Sequence, residues 1–217
     1  MTDAVRFPLV LGLISLFSAA GLAVSYQATY DRIRYQVELK KARGLSVVLG
    51  LPLDESPDAK RPWEEHTYPA LDGGQQAPPF VVYEAEAPKS GRFYAAEGKA
   101  QGYSSKVHVV VAAHQASAYG PRQFTVKAIT VVGQLETPGL GSRCTEPEFQ
   151  REFERLPEAM LDLITNAPYR DPNAPDSENQ HVAAIPGATI TSSAVIAAVH
   201  QALARIRHHV GQRAATR

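Results

Sequence analysis

Only one cysteine, Cys144, stands among the 217 residues. No intramolecular disulfide can form, and the chain alone cannot ligate an iron–sulfur cluster, which takes about four thiolates. Cys144 is read as a small apolar packing residue. Neither sign of charge is in excess, since 22 Lys and Arg meet 22 Asp and Glu. The clustered basic face that nucleic acid demands is missing, and no nucleic-acid partner is expected. There is no dinucleotide glycine fingerprint, no nucleophile–base arrangement and no internal repeat, so the chain is not read as a catalyst on its own. Its histidines lack ligand spacing. His208 and His209 are adjacent and diverge on a helix, and His108 and His114 are read on opposite sides of a strand end. No metal site is expected.

What the chain does have is a long apolar run near its start. No charged residue falls between Arg6 and Asp31, and FPLVLGLISLFSAAGLAVSY matches the roughly 20 residues that cross a bilayer as a helix. Residues 7–28 are read as a transmembrane anchor after a short tail, 1–6. A cleaved signal peptide is the alternative, with Ala23-Val24-Ser25 as a passable cleavage site. The basic stretch that follows (Arg32, Arg34, Lys40, Lys41, Arg43) would, counted naively, hold the C-terminal part in the cytoplasm.

Residues 29–79 read as a helical stalk to about residue 50 and then a Pro-rich irregular linker, packed locally by Trp63 and Tyr68. Ile33, Val37 and Leu45 are the stalk's sparse apolar positions. FVVYEAE, GRFYAAEG, KVHVVVAA and FTVKAITVVG are β-branched and aromatic runs that predict strands. The last two are joined by the long loop HQASAYGPRQ. A helix is expected over 147–164, with Phe149, Phe153 and Leu156 on one face before Pro157. The acids around 146–158 and Glu64-Glu65 are read as solvated. A second loop spans 166–180, and SAVIAAVHQALARIRHHVGQ is an amphipathic helix with Val195, Val199, Ala202, Ile206 and Val210 on its apolar face. The fold class is α+β: one N-terminal transmembrane helix, then a soluble domain (80–212) with an antiparallel sheet flanked by helices, and a tail at 213–217.

Two motifs carry chemistry. PGATITSSAV (186–195) is a tight turn delivering Thr189, then Thr191 and Ser192, to a helix start. Thr191 or Ser192 would serve as N-cap, and a helix N-terminus favours phosphate. Gly187 and Ala188 leave the backbone open to a large ligand. LETPGLGSR (135–143) follows a strand, and its glycines, Gly139 and Gly141, allow a sharply shaped loop on which Leu140 offers an apolar contact. On the residues alone, the first motif also reads as a plain capped helix entry. The second also reads as a turn with Glu136 solvated.

Together with the anchor, GAT-x-TS before a C-terminal helix and ETPGLG upstream resemble the FMN-binding G subunit of Rnf electron transport complexes. They also resemble the related C subunit of the sodium-pumping NADH:quinone reductase. GKAQGY and PEFQREF extend the resemblance, which covers the anchor and residues 90–205. It implies FMN joined through its phosphate to the Thr189 hydroxyl by an FMN transferase that draws on FAD. Gly187, Ala188, Thr191 and Ser192 would surround the phosphate, and Glu136, Thr137, Gly139, Leu140 and Gly141 would lie by the ring. It further implies the other membrane subunits of an Rnf-type complex as partners. The chain would then be a single-pass protein of the bacterial inner membrane, its soluble domain periplasmic, relaying electrons in an ion-translocating oxidoreductase. Pro186 and Ala183 depart from the family pattern, where Ser or Thr and an acid are usual. A free-standing anchored FMN carrier and a cofactor-free adaptor are the other readings.

Overall fold

The structure is a computed structural model that describes residues 3–56, 59–71, 78–87, 91–115, 123–165 and 181–215. The expected loop at 166–180 and most of that at 114–123 lie outside the described residues. The chain divides into two compact units, Met1–Lys40 and Lys41–Arg217.

The first unit is helical. It holds most of α1 (Asp3–Leu49), whose best 18-residue window has a mean hydropathy of 2.2, enough by length and composition to cross a membrane. Its apolar side chains, such as Leu16, Phe17, Leu22 and Val24, are exposed. So are Ile33 and Val37, two of the stalk's sparse apolar positions.

The second unit begins with the last turns of α1. These bury Ala42, Leu45, Val48 and Leu49 in a cluster with Trp63, Tyr83, Phe93, Val110 and Ala112. The helix stops at Leu49 because Gly50 takes a φ of 67°. The Gly50 N–H then reaches the Val47 carbonyl, and the Leu51 N–H the Ser46 carbonyl, which is the Schellman arrangement. Lys127 Nζ donates to the Leu49 carbonyl at 2.6 Å, where a cation suits the negative end of the helix dipole.

Five antiparallel strands follow in sequential order: β1 (Glu64–Tyr68), β2 (Phe80–Ala87), β3 (Gly91–Gln101), β4 (Lys106–Gln115) and β5 (Phe124–Gly133). β2 to β5 fall on the four runs expected. β1 falls inside the stretch read as irregular; EEHTY is mostly polar and becomes a strand by pairing with β2, Tyr68 opposite Phe80 and Glu64 opposite Glu84. The sheet is covered on both faces. Val82, Ala96, Val109 and Val111 look toward α3 (Thr189–Ala215), while Tyr83, Ala95, Val110 and Ala112 look toward α1. Burial on both sides explains why VVVAA (109–113) is continuously apolar rather than alternating.

The helix expected over 147–164 is much shorter. α2 (Pro147–Arg151) gives way to turns, a 3-10 turn at Glu158–Met160 and a short parallel pair, β6 (Leu163–Ile164) with β7 (Val182–Ala183). The chain leaves the helix because Arg155, at φ 58°, turns its backbone onto β5. Its N–H donates to the Val126 carbonyl, and the Val126 N–H donates to the Leu156 carbonyl. Phe149, Phe153 and Leu156 are nevertheless all buried in the α3-side core. Glu152, read as solvated, is fully buried and accepts the Ala183 amide at 3.0 Å.

α3 lies close on the sheet because β3 presents Gly98 beneath it. A Cβ there would sit 1.8 Å from the Ala198 carbonyl oxygen, backbone that cannot swing aside. Gly98→Ala is therefore expected to lower the unfolding free energy by about 3 kcal/mol or more, read as a shift in the chemical denaturation midpoint. An unchanged midpoint would contradict the close helix–sheet contact.

Candidate functional site

Two short segments meet at the N-terminus of α3, and each is a proline–glycine turn. In Thr137-Pro138-Gly139-Leu140, the Leu140 N–H donates to the Thr137 carbonyl at 3.2 Å and Gly139 has φ 75°. In Ile185-Pro186-Gly187-Ala188, the Ala188 N–H donates to the Ile185 carbonyl at 2.9 Å and Gly187 has φ 76°. Proline at the second position and a left-handed glycine at the third are the signature of a type II turn. The two turns face one another: a Cβ on Gly187 would lie 3.2 Å from Leu140 Cδ2. Pro186, a departure from the family pattern, thus fixes the turn that leads into α3.

Between them opens a cavity of about 580 Å³ lined by Tyr103, Glu136, Thr137, Leu140, Gly141, Gly187, Ala188, Thr189, Ile190 and Thr191. Eight of these were singled out from sequence; Tyr103 and Ile190, both largely exposed, were not. Tyr103 lies in the β3–β4 turn, whose link to this site has no signal along the chain. Gly139 and Ser192 were singled out but do not line the cavity.

The expected caps are placed differently. α3 already begins at Thr189, and its first internal bond runs from the Ser192 N–H to the Ala188 carbonyl. Ala188 therefore occupies the capping position and has no side-chain oxygen to offer. The amides of Thr189, Ile190 and Thr191 precede the first bonded one and have no helical partner. Ser192, fully buried, accepts the Ile185 amide at 3.0 Å and donates to the Ala188 carbonyl at 3.1 Å. Its hydroxyl fastens the turn from behind. Thr189 is exposed at the mouth of the cavity.

Thr191 is held by Glu136. That carboxylate, 6% exposed, is not the solvated group considered above. It accepts the Thr191 hydroxyl at 2.6 Å, the amides of Tyr103, Ser104 and Ser105 at 3.1, 3.1 and 2.9 Å, and the Ser105 hydroxyl at 3.2 Å. One side chain thus ties the β3–β4 turn, the ETPGLG loop and the start of α3. Burial by itself would raise its pKa, but the Thr191 hydroxyl and the three amides outweigh that and hold it below the usual carboxylate range. Cys144 is fully buried behind this region, as expected of a packing residue, and burial raises its pKa to about 11. His108 and His114 share one face of β4, being an even number of residues apart, at its two ends. Spacing along the chain also hides a convergence of His66, Glu84 and His209 from three separate elements.

In comparison with known proteins, residues 102–204 match the FMN-binding domain. By these matches the chain is similar to FMN-binding proteins and to the G subunit of an ion-translocating oxidoreductase complex. Among curated relatives it is 28% identical over 200 residues to the G subunit of the ion-translocating oxidoreductase complex of Methanosarcina acetivorans, covering 88% of each chain. Among solved structures it matches NqrC of Shewanella oneidensis at TM-score 0.45 and 19% identity, over 56% of this chain and 54% of that one. It also matches the C subunit of the Na⁺-translocating NADH-quinone reductase of Parabacteroides distasonis at TM-score 0.42 and 19% identity, over 61% of each. The cavity's volume falls within the roughly 300–1,000 Å³ of small-molecule sites, and its mix of apolar side chains, a hydroxyl and unpaired amides suits a flat ring carrying a phosphate.

Because Glu136 is held below its unfolded value, its contribution to stability is present above about pH 4.3 and fades as pH falls through the lower folded value. Glu136→Gln is expected to cost about 2 kcal/mol at neutral pH, since donors lose a charged acceptor. The gap from wild type should close in acid, as followed by denaturation at a series of pH values. A gap constant with pH would mean that the carboxylate charge is not what the donors hold.

Proposed function

We propose that this chain is a membrane-anchored flavoprotein subunit that carries FMN esterified to Thr189 and relays electrons within an ion-translocating oxidoreductase complex. The observation that supports it most is the position of Thr189, an exposed hydroxyl at the cavity mouth and first in a helix whose leading amides are uncapped. The domain at 80–212 carries the flavin, and residues 7–28 hold the chain in the cytoplasmic membrane with that domain on the outer side. The named role of the Methanosarcina relative, as part of an ion-translocating oxidoreductase complex, supports the assignment of partners.

The hydroxyl's accessibility supports attachment there. With an FMN transferase, the Thr189 hydroxyl would take the FMN phosphoryl group from FAD, with AMP as the leaving group and the recipient of the hydroxyl proton. The resulting phosphodiester keeps one negative charge. The amides at 189–191 and the positive end of the α3 dipole favour it there, the dipole alone by roughly 0.3–1 kcal/mol. Bound FMN supplies the chemistry of taking two electrons and passing them on singly. Leu140 and Ile190 offer apolar flanks to the ring, and Thr137 and the turn backbone its polar contacts. Glu136 keeps Thr191 and both loops in place around it. Covalent tethering suits a compartment with no flavin pool to refill the site.

Co-expression with the transferase and intact mass measurement tests this. The expected result is one FMN adduct on wild type and none on Thr189→Val, whose band on a denaturing gel loses its yellow fluorescence. An unmodified wild type, or a fluorescent Thr189→Val band, would overturn the assignment.

A further inference from the structure

At the other end of α3, His209 lies twenty residues beyond Thr189, about 30 Å along the axis at 1.5 Å per residue. It is fully buried there and meets His66 from β1 and Glu84 from β2. Glu84 Oε2 lies 3.3 Å from His209 Nε2 and 3.6 Å from His66 Nε2, and the three ligand atoms fall within 4.8 Å of one another. His66 Nε2 is a buried nitrogen with no hydrogen-bond partner among the described residues. A buried polar atom of that kind requires an explanation.

We infer that His66, His209 and Glu84 form a three-ligand site for a borderline divalent cation of the Zn²⁺ class, remote from the flavin cavity. Metal–ligand bonds of about 2.0–2.1 Å place tetrahedral ligand atoms about 3.3–3.4 Å apart, close to both measured nitrogen–oxygen separations. His66 Nε2 stands too far from the carboxylate to hydrogen-bond it, and His209 Nε2 meets it only in a long hydrogen bond of 3.3 Å. The outer nitrogen of His209 is already oriented, as metal-bound imidazoles are: Tyr68 Oη lies 2.7 Å from His209 Nδ1. Glu64 Oε2, 3.8 Å from His66 Nε2 on an exposed side chain, stands near a fourth position that water or this acid can fill. Two imidazoles with one or two carboxylates suit zinc better than calcium or magnesium, which take oxygen ligands.

Two guanidiniums share the carboxylate. Arg92 Nε holds Oε1 at 2.9 Å, and Arg213 Nη1 holds the same Oε2 that faces the imidazoles. Arg213 is a part-exposed side chain in the last turn of α3. It supplies the positive charge that a cation would otherwise bring and must swing outward when the cation enters. The site therefore exchanges one cation for another, and its affinity is set by that competition.

The test uses the untagged full-length chain in detergent, dialysed against Zn²⁺ alone with a chelator competing. Wild type is expected to take up one equivalent and to unfold at a higher temperature with Zn²⁺ present. His66→Gln, at a part-exposed position, should weaken binding by about tenfold or more and lose the thermal shift while its zinc-free midpoint stays near wild type. Arg213→Gln should bind more tightly than wild type, which a purely structural ion pair would not produce. Absence of a stoichiometric ion on wild type, undiminished binding in His66→Gln, or no gain in Arg213→Gln would each overturn the inference.

Discussion

A carboxylate removed from water must find its donors inside the protein, and Glu136 finds them on two other chain segments at once. Its neighbours are the amides of the β3–β4 turn and the hydroxyl of a residue one turn into α3. Burying such a group without partners would cost several kilocalories per mole, so the segments cannot separate without exposing that cost. The cavity's shape thus depends on one side chain's unmet valences rather than on packing alone. The proline–glycine turns act within that frame. Each is shaped by a fixed proline φ and a left-handed glycine, and a serine hydroxyl braces each, Ser142 the first and Ser192 the second.

Much of the architecture was legible along the chain, because burial leaves a pattern. The runs that became β2 to β5 are apolar on both sides of the pleat, since helices cover both faces, and α3 repeats its small and branched residues at three and four. β1 was missed for the converse reason: EEHTY has little apolar character and takes its conformation from β2. The helix expected beyond Arg151 was lost to backbone bonds between Arg155, Leu156 and β5. That is a tertiary pairing which no local periodicity announces.

The site shows the same division. The turns could be read from Pro-Gly, and the start of α3 from the hydroxyl-bearing run that follows the second turn. The work of the polar side chains could not be read so easily. Ser192 looked like a cap and is instead a buried fastening behind the turn. Glu136, placed by the ring with a solvated acid as the alternative, is the hub of five donors. Both side chains take their roles from partners that lie 4 to 55 positions away, which residue type alone does not reveal. His66, Glu84 and His209 make the point more sharply, since no spacing rule connects residues on two strands and a helix.

The missing side chain at position 98 has one more effect. Ala198 rests on it near the middle of α3, between the residue that opens the helix at the cavity and the imidazole that lies toward its far end. A rod seated in a notch halfway along cannot slide lengthwise, because its backbone would ride up on the neighbouring strand. The two ends are therefore mechanically insulated: what occupies one cannot push the other along the axis. Each end is left to settle its own occupancy by charge and fit.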